Sequence, residues 1–233
     1  MSLPRRFVGA LLFPARTFAL LSERPVWVDA LLVVLAAGAV YGSLVFPVVR
    51  QDRLRTFEAS AAGFVEKYGE TQYAEAVARI EGESRALGAF VVRPLLSLTS
   101  LLVISLVALA AGRSLTGRGH FLQVFSALLH AAFADGVVGN AVRLALIKSR
   151  GTALHLPTGL GALFPNLSAG TAAYAAFGRV DVFSLWTYGL FGVGLAASFK
   201  LGLGKGLALS CAIWLLGGLA GLGLAVVGKG FFL

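Results

Sequence analysis

The sequence predicts an all-α integral membrane protein: five transmembrane helices, with a helical extramembrane segment between the first and second. Three observations carry this. Of 233 residues, 58% are hydrophobic and 13% charged, with mean hydropathy +0.83. Soluble domains carry about 25% charged residues, so the chain has about half the usual charge. Apolar runs begin near residues 26, 94, 121, 182 and 206. Crossing roughly 30 Å of hydrocarbon takes about 20 apolar residues, and lipid forces the peptide groups to bond within a helix. Residues 50–93 break this pattern, with seven basic and seven acidic side chains.

In chain order, residues 1–25 resemble a signal peptide only at first. Arg5 and Arg6 precede the apolar run Phe7–Phe13, but Pro14 and Arg16 interrupt it and no small-residue cleavage site follows. An amphipathic interfacial segment is expected, with its arginines toward headgroups. Residues 26–233 read as one membrane domain. The first span, residues 26–49, carries Asp29 in its first turn, where an acid suits the helix N-terminus, and ends at Pro47 and Arg50.

Within 50–93, apolar residues recur at Phe57, Ala61, Phe64, Val65 and Tyr68, then at Tyr73, Val77, Ile80 and Leu87. These are helical spacings. Gly69 as a C-cap and Thr71 as an N-cap divide the stretch into two short helices, a lid or prop outside the bilayer. The second span covers residues 94–112, with Pro94 in its first turn.

The third span, residues 121–147, is the polar one: Gln123, Ser126, His130, Asp135, Asn140 and Arg143. The first three share a helical face, whereas Asp135 lies about 140° from His130. The glycines beside Asp135 and Asn140 mark a possible break in the helix. Asp135 and Arg143 are eight residues apart, about 12 Å along a straight helix, so they cannot pair without a kink. Ionisable groups in lipid are costly and are functional candidates by default, so His130, Asp135, Asn140 and Arg143 form the candidate intramembrane polar site. Asp135 would carry a proton or cation, Arg143 would be its counter-charge and His130 a relay. The alternative is structural, with Asp135 and Asn140 bonded to neighbouring spans and Arg143 snorkelling to the interface.

Residues 151–180 are nearly uncharged but chopped by glycine and proline. They predict a re-entrant or interfacial segment with a short helix over 166–177; a sixth span is the competing reading. Asp181 is the expected N-cap of the fourth span, and the fifth covers residues 206–227. Small residues on these spans, Gly192, Gly194, Gly217 and Gly221 among them, predict close helix packing, and Cys211 is expected in a helix interface.

No catalytic, cofactor-binding or metal-ligating residues are expected. GLGLGKGL lacks a Walker pattern, the histidines 120, 130 and 155 lack ligand spacing, and one cysteine excludes an intrachain disulfide. The net charge of +9 is dispersed along span flanks, which suits anionic headgroups rather than nucleic acid. Five spans put the termini on opposite faces. Arg5, Arg6, Arg16, Arg24, Arg113, Arg118, Lys200 and Lys205 flank spans on the N-terminal side, against one acid, Glu23. Although the opposite face holds more basic residues in total, these compact turns lead us to expect a cytoplasmic N-terminus in a bacterial inner membrane.

From Asp181 the chain resembles a known family. Asp181, Phe183, Ser184, Leu185 and Trp186, followed by Gly192, Gly194, Lys200 and Trp214, are similar to the closing hairpin of the Yip-one (Ypt/Rab-interacting protein) domain family. FPARTFALLSERPVWVDALLVV resembles the opening of its prokaryotic members, so the likeness covers most of residues 12–216. The eukaryotic branch has a long cytosolic N-terminal region and a DLYGP motif; neither occurs here, and GTPase binding is not carried over. The resemblance implies five spans, a cytoplasmic N-terminus and a role in membrane organisation or trafficking. The expected function is a non-enzymatic scaffold acting through helix–helix association, with itself or a membrane-protein partner. The alternative is a transporter or channel subunit using the third span.

Overall fold

The computed structural model describes residues 1–164, 166–167 and 171–231, and side chains up to residue 223 apart from 172 and 175. Among the described residues, besides a short 3-10 helix at Leu160–Leu163, ten helices follow in order: α1 (Leu3–Leu12), α2 (Pro14–Glu23), α3 (Val28–Glu58), α4 (Ala61–Tyr68), α5 (Glu70–Glu81), α6 (Arg85–Thr116), α7 (Phe121–Arg150), α8 (Ala172–Arg179), α9 (Val182–Phe199) and α10 (Leu203–Phe231). Among the described residues, α3, α6, α7, α9 and α10 are long and apolar enough to cross a membrane, so the chain has five candidate spans.

Packing ranks these five. Within their apolar windows, 56% of α7 and 50% of α9 are buried, against 17% in α3, 22% in α6 and 17% in α10. The polar third span is therefore the centre of the bundle, α9 lies against it, and the other three form the outer wall. Phe125, Leu129, Phe133, Phe191, Leu195 and Phe199 fill the space around α7 and α9. Gly206 on α10 approaches Gly192 so closely that a methyl group there would collide with the Gly192 carbonyl and Ala196. Likewise, a Cβ on Gly194 would press on Ala127 and Phe18. The α9–α10 hairpin turns at Lys200, which has a left-handed φ of 53°.

The N-terminal segment forms a helical hairpin docked on α7 and α9, with Ala10, Phe18 and Leu21 buried. Contrary to the sequence expectation, Arg6 does not face headgroups: it is buried and ion-paired with Asp29 at the start of α3. A charge with a carboxylate within reach does better paired than half-solvated beside lipid.

Several boundaries also shift. The apolar run of α3 ends near Val49, but the helix continues through Pro47 to Glu58 because Asp52 is buried and anchored. Its carboxylate accepts from Thr152 Oγ1 at 3.0 Å and from the Ala153 N–H at 2.7 Å. Likewise, α6 starts nine residues before Pro94. Proline brings no N–H, and the helix runs into it through a π-turn over Gly88–Val92, closed by the Arg93 N–H on the Gly88 carbonyl. The division of 50–93 into two short helices holds, α4 and α5, but Gly69 with φ 87° is both C-cap and N-cap, displacing Thr71. The helix expected over 166–177 begins at Ala172 and ends at Arg179; residues 165 and 168–170 of that stretch lie outside the described residues. Cys211 is exposed on α10 instead of sitting in an interface. A methyl group on Gly217 would meet no atom within 4 Å, and Gly221 faces the Arg179 guanidinium, not a helix backbone.

Candidate functional site

The polar groups of α7 divide into two stations. At the first, near its N-terminus, Gln123 accepts from the His120 N–H (3.0 Å) and donates to the Ser22 carbonyl in the last turn of α2 (2.6 Å). Ser126 donates to the Val26 carbonyl at 2.8 Å. Ser22 lies at the C-terminal end of α2, where carbonyls lack intrahelical partners, and Val26 lies in the link to α3, so this face of α7 completes backbone bonds of the hairpin and of the link that follows it. His130 belongs to this station. It is fully buried, its Nδ1 lies 2.8 Å from the Ser126 carbonyl, and its ring stands edge-on to Phe133. Its partners are Ser126 and Phe133, so the structure does not bring it together with Asp135 and Arg143, beside which the sequence reading sets it as a relay.

The second station is built around Arg143. Its Nη2 donates to Asp135 Oδ1 at 2.5 Å and to Asp181 Oδ1 at 2.7 Å, and Nη1 reaches Asn140 Oδ1 at 3.3 Å. The guanidinium also lies over the Phe183 ring, 5.5 Å from its centroid. The eight-residue gap that forbids pairing on a straight helix is closed by a π-turn over Ala134–Gly139, where the sequence suggested a break. Helical side chains lean toward the N-terminus, so Arg143 reaches back along its own helix to Asp135. Asn140 fills the Gly136 carbonyl with its side-chain amide at 2.9 Å, a bond that lipid could not supply. Gly139 has to be small: a Cβ there would press on Phe183 and the Arg143 guanidinium.

Asp181 is the residue of the candidate site that pattern reading placed in a motif and missed as an ion-pair partner. It caps α9, accepting from the Phe183 N–H at 2.9 Å, while its second task is to hold Arg143 from outside α7. Burial pushes its carboxyl up, but bonds from Thr158, Arg143 and the Phe183 N–H, with the Arg143 charge, outweigh this and hold it below the ordinary carboxylate range. An arginine inside a span with an acid at the foot of the next was the available signal. Of the other motif residues, Ser184 accepts from Trp214 Nε1 at 3.2 Å and ties α9 to α10, while Leu185 and Trp186 are exposed on the outer surface.

Two clefts meet at this station. One, of about 1060 Å³, runs between α3 and α6 from Arg50, Arg79 and Arg93 down to Asp135 and Thr187. The other, of about 850 Å³, is walled by α6, α9 and α10 and includes Asp135, Arg143 and Asp181. The Asp135 side chain is 42% exposed to this space, whereas those of Arg143 and Asp181 are 14% and 10% exposed. Among the described residues, no group of three His, Cys, Asp or Glu side chains is arranged to hold a metal ion. Comparison with protein-family models, curated proteins and solved structures finds no match for this chain.

Proposed function

We propose that the chain is a non-enzymatic multi-pass scaffold of the Yip-domain type, which organises the membrane around it through helix–helix association with itself or a membrane-protein partner. One observation carries this reading: Gln123, Ser126, Asp135, Asn140 and Arg143 of α7 are engaged in internal ties, while His130 Nε2 is buried without a partner. Gln123 and Ser126 hold the N-terminal hairpin and the link that follows it, and Asn140, Asp135 and Asp181 hold Arg143. What remains unspent is the apolar outer wall of α3, α6 and α10, with Leu95, Leu216 and Leu219 each more than half exposed. Lipid covers such a wall, and helices of a second copy or a partner can replace it, since in a bilayer association rests on packing and not on hydrophobic transfer. The basic flanks suit anionic headgroups, and the compact turns at Arg113, Arg118, Lys200 and Lys205 support a cytoplasmic N-terminus in a bacterial inner membrane.

The test uses Cys211, which is exposed on α10 and is the chain's single cysteine. Oxidative crosslinking in native membranes is expected to give a discrete dimer or hetero-adduct that Cys211→Ser abolishes. A strict monomer, from Cys211 and also from cysteines moved to Leu216 and Leu219, rejects the scaffold.

A second reading, transport, is favoured by one feature: Asp135 is the half-exposed carboxylate where the two clefts meet. A proton or cation route through it predicts that Asp135→Asn abolishes flux into proteoliposomes. Unchanged flux removes that reading.

A further inference from the structure

We propose that the cleft between α3 and α6 binds one anionic phospholipid, with its phosphate among Arg50, Arg79 and Arg93 and an acyl chain along Val34, Phe46 and Leu96. The site needs only the five-span architecture and is independent of the scaffold reading.

Charge is the first support. Four arginines line this cleft, and Glu83 neutralises one of them, Arg53, at 2.6 Å. Arg50 donates to the Glu81 carbonyl at 3.2 Å, an interaction that leaves its positive charge uncompensated. Arg79 and Arg93 have no carboxylate partner among the described residues; Arg93 lies over the Tyr41 ring at 6.0 Å. Three guanidiniums without counter-charges therefore face one apolar-walled space. The two arginines enclosed by the helices of the bundle, Arg6 and Arg143, are matched, Arg6 by Asp29 and Arg143 by Asp135 and Asp181. A phosphodiester supplies the missing anion and can take several N–H donors at once.

Depth is the second. Arg79 comes from α5 in the extramembrane segment, Arg50 marks the end of the apolar run of α3, and Arg93 sits on α6 beyond its π-turn. The positive groups thus begin at the mouth of the cleft; the walls beyond carry Val34, Leu96 and Leu101, and Asp135 and Thr187 stand at its far end. A soluble phosphate would satisfy the arginines and leave the lower cleft empty; an acyl chain fills it. The extramembrane helices gain a role here, because α5 contributes Arg79 to the roof of the site.

Shape is the third. Gly38 on α3 and Gly88 on α6 line the cleft, and a methyl group at either would meet no atom within 4 Å. At these two positions the cleft, of about 1060 Å³, is open space, while at Gly42 the Arg93 side chain lies against α3. Beside its mouth, Val40, Leu44 and Leu96 are all exposed, so a chain can enter sideways from the bilayer.

The full chain, purified in nonionic detergent and stripped of lipid, is titrated with phosphatidylglycerol, phosphatidylcholine or inorganic phosphate while the thermal unfolding midpoint is read. Phosphatidylglycerol is expected to raise the midpoint saturably; the other two are not. In Arg79→Gln/Arg93→Gln its apparent affinity falls roughly thirtyfold, at about fivefold per arginine near an anionic lipid. Gly38→Leu, which fills the wall and improves helix propensity, removes the response without altering charge. An equal response to phosphatidylcholine means unspecific annular lipid, and a response to phosphate alone means a bare anion site; either overturns the proposal. So does an undiminished response in both variants, which moves the lipid elsewhere. Should the double arginine variant not fold, Gly38→Leu decides the question alone.

Discussion

Replacing Arg143 by Met tests whether the ionic station is what joins α7 to α9. The substitution keeps most of the aliphatic volume and removes the cation. Asp181 would then face Asp135 with no counter-charge, at a site where the Asp181 side chain is 10% exposed. Removing one partner of a buried pair costs about 3–5 kcal/mol, because the surviving charge stays desolvated. Asp135, 42% exposed to the clefts, can relax toward any water there, so the cost falls mainly on Asp181 and roughly 3 kcal/mol is expected. For a chain of this size, 1 kcal/mol moves the unfolding midpoint by about 2–4 °C, which gives a drop of roughly 6–12 °C in detergent. The triple change Arg143→Met/Asp135→Asn/Asp181→Asn removes all three charges, and Asn still caps α9 well, so it should recover most of that drop. Thermal unfolding followed by tryptophan fluorescence reads both variants. A single variant that melts within about 2 °C of the parent, less than 1 kcal/mol would give, or a triple variant no better than the single one, refutes the ionic tie.

Three further outcomes follow from the packing and charge. Gly194→Leu must displace Ala127 and Phe18 and should cost about 1–3 kcal/mol, whereas Gly217→Leu, with open space around it, should leave the midpoint unchanged or raise it; matched midpoints for the two would contradict the packing. Arg6→Met removes the tie between α1 and α3, and limited trypsin digestion should then cut faster at Arg16 and Arg24, with parental rates as the negative result. Because the folded Asp181 carboxyl is held below its ordinary value, its contribution is fully present above the unfolded value of about 4 and is lost as pH falls through the folded one. Unfolding midpoints of the parent and of Asp181→Asn should therefore converge on acidification below about pH 4, and a gap that persists there excludes the linkage.

How much of this was legible in the sequence depended on the range of the interaction. Span count, the Asp181 cap and the split near Gly69 are local effects of apolar length, capping chemistry and glycine, and they read directly. The ends of α3 and α6 did not, because each is set by something distant or irregular. Asp52 prolongs α3 by binding Thr152 and Ala153, one hundred residues away, and looked like one solvated acid among seven. The π-turn before Pro94 changes the helical register, which no 3.6-residue pattern encodes. The polar third span was recognised by type, but its division into two stations was not. His130 and Asp135 are five residues apart, and which helix each would meet depends on where the N-terminal hairpin and α9 dock.

Charge matching explains why those docking positions are specific. Packing small and apolar surfaces in lipid discriminates weakly between neighbours, since lipid tails are as apolar as the helices. An unmatched charge discriminates strongly, because every arrangement that leaves it facing hydrocarbon is penalised. Among the described residues there are two such matches within the bundle, Arg6 with Asp29 and Arg143 with Asp181, 23 and 38 residues apart. The first fixes the hairpin against α3, and the second fixes α9 against α7. Apolar length makes five helices able to cross a membrane, and these two matches then restrict the order in which they can stand. On this reasoning, exchanging the charges at Arg143 and Asp181 should preserve the neighbour relation of α7 and α9 better than removing either charge alone. The thermal unfolding midpoint would test that, falling in the single neutral variants and recovering in the exchange.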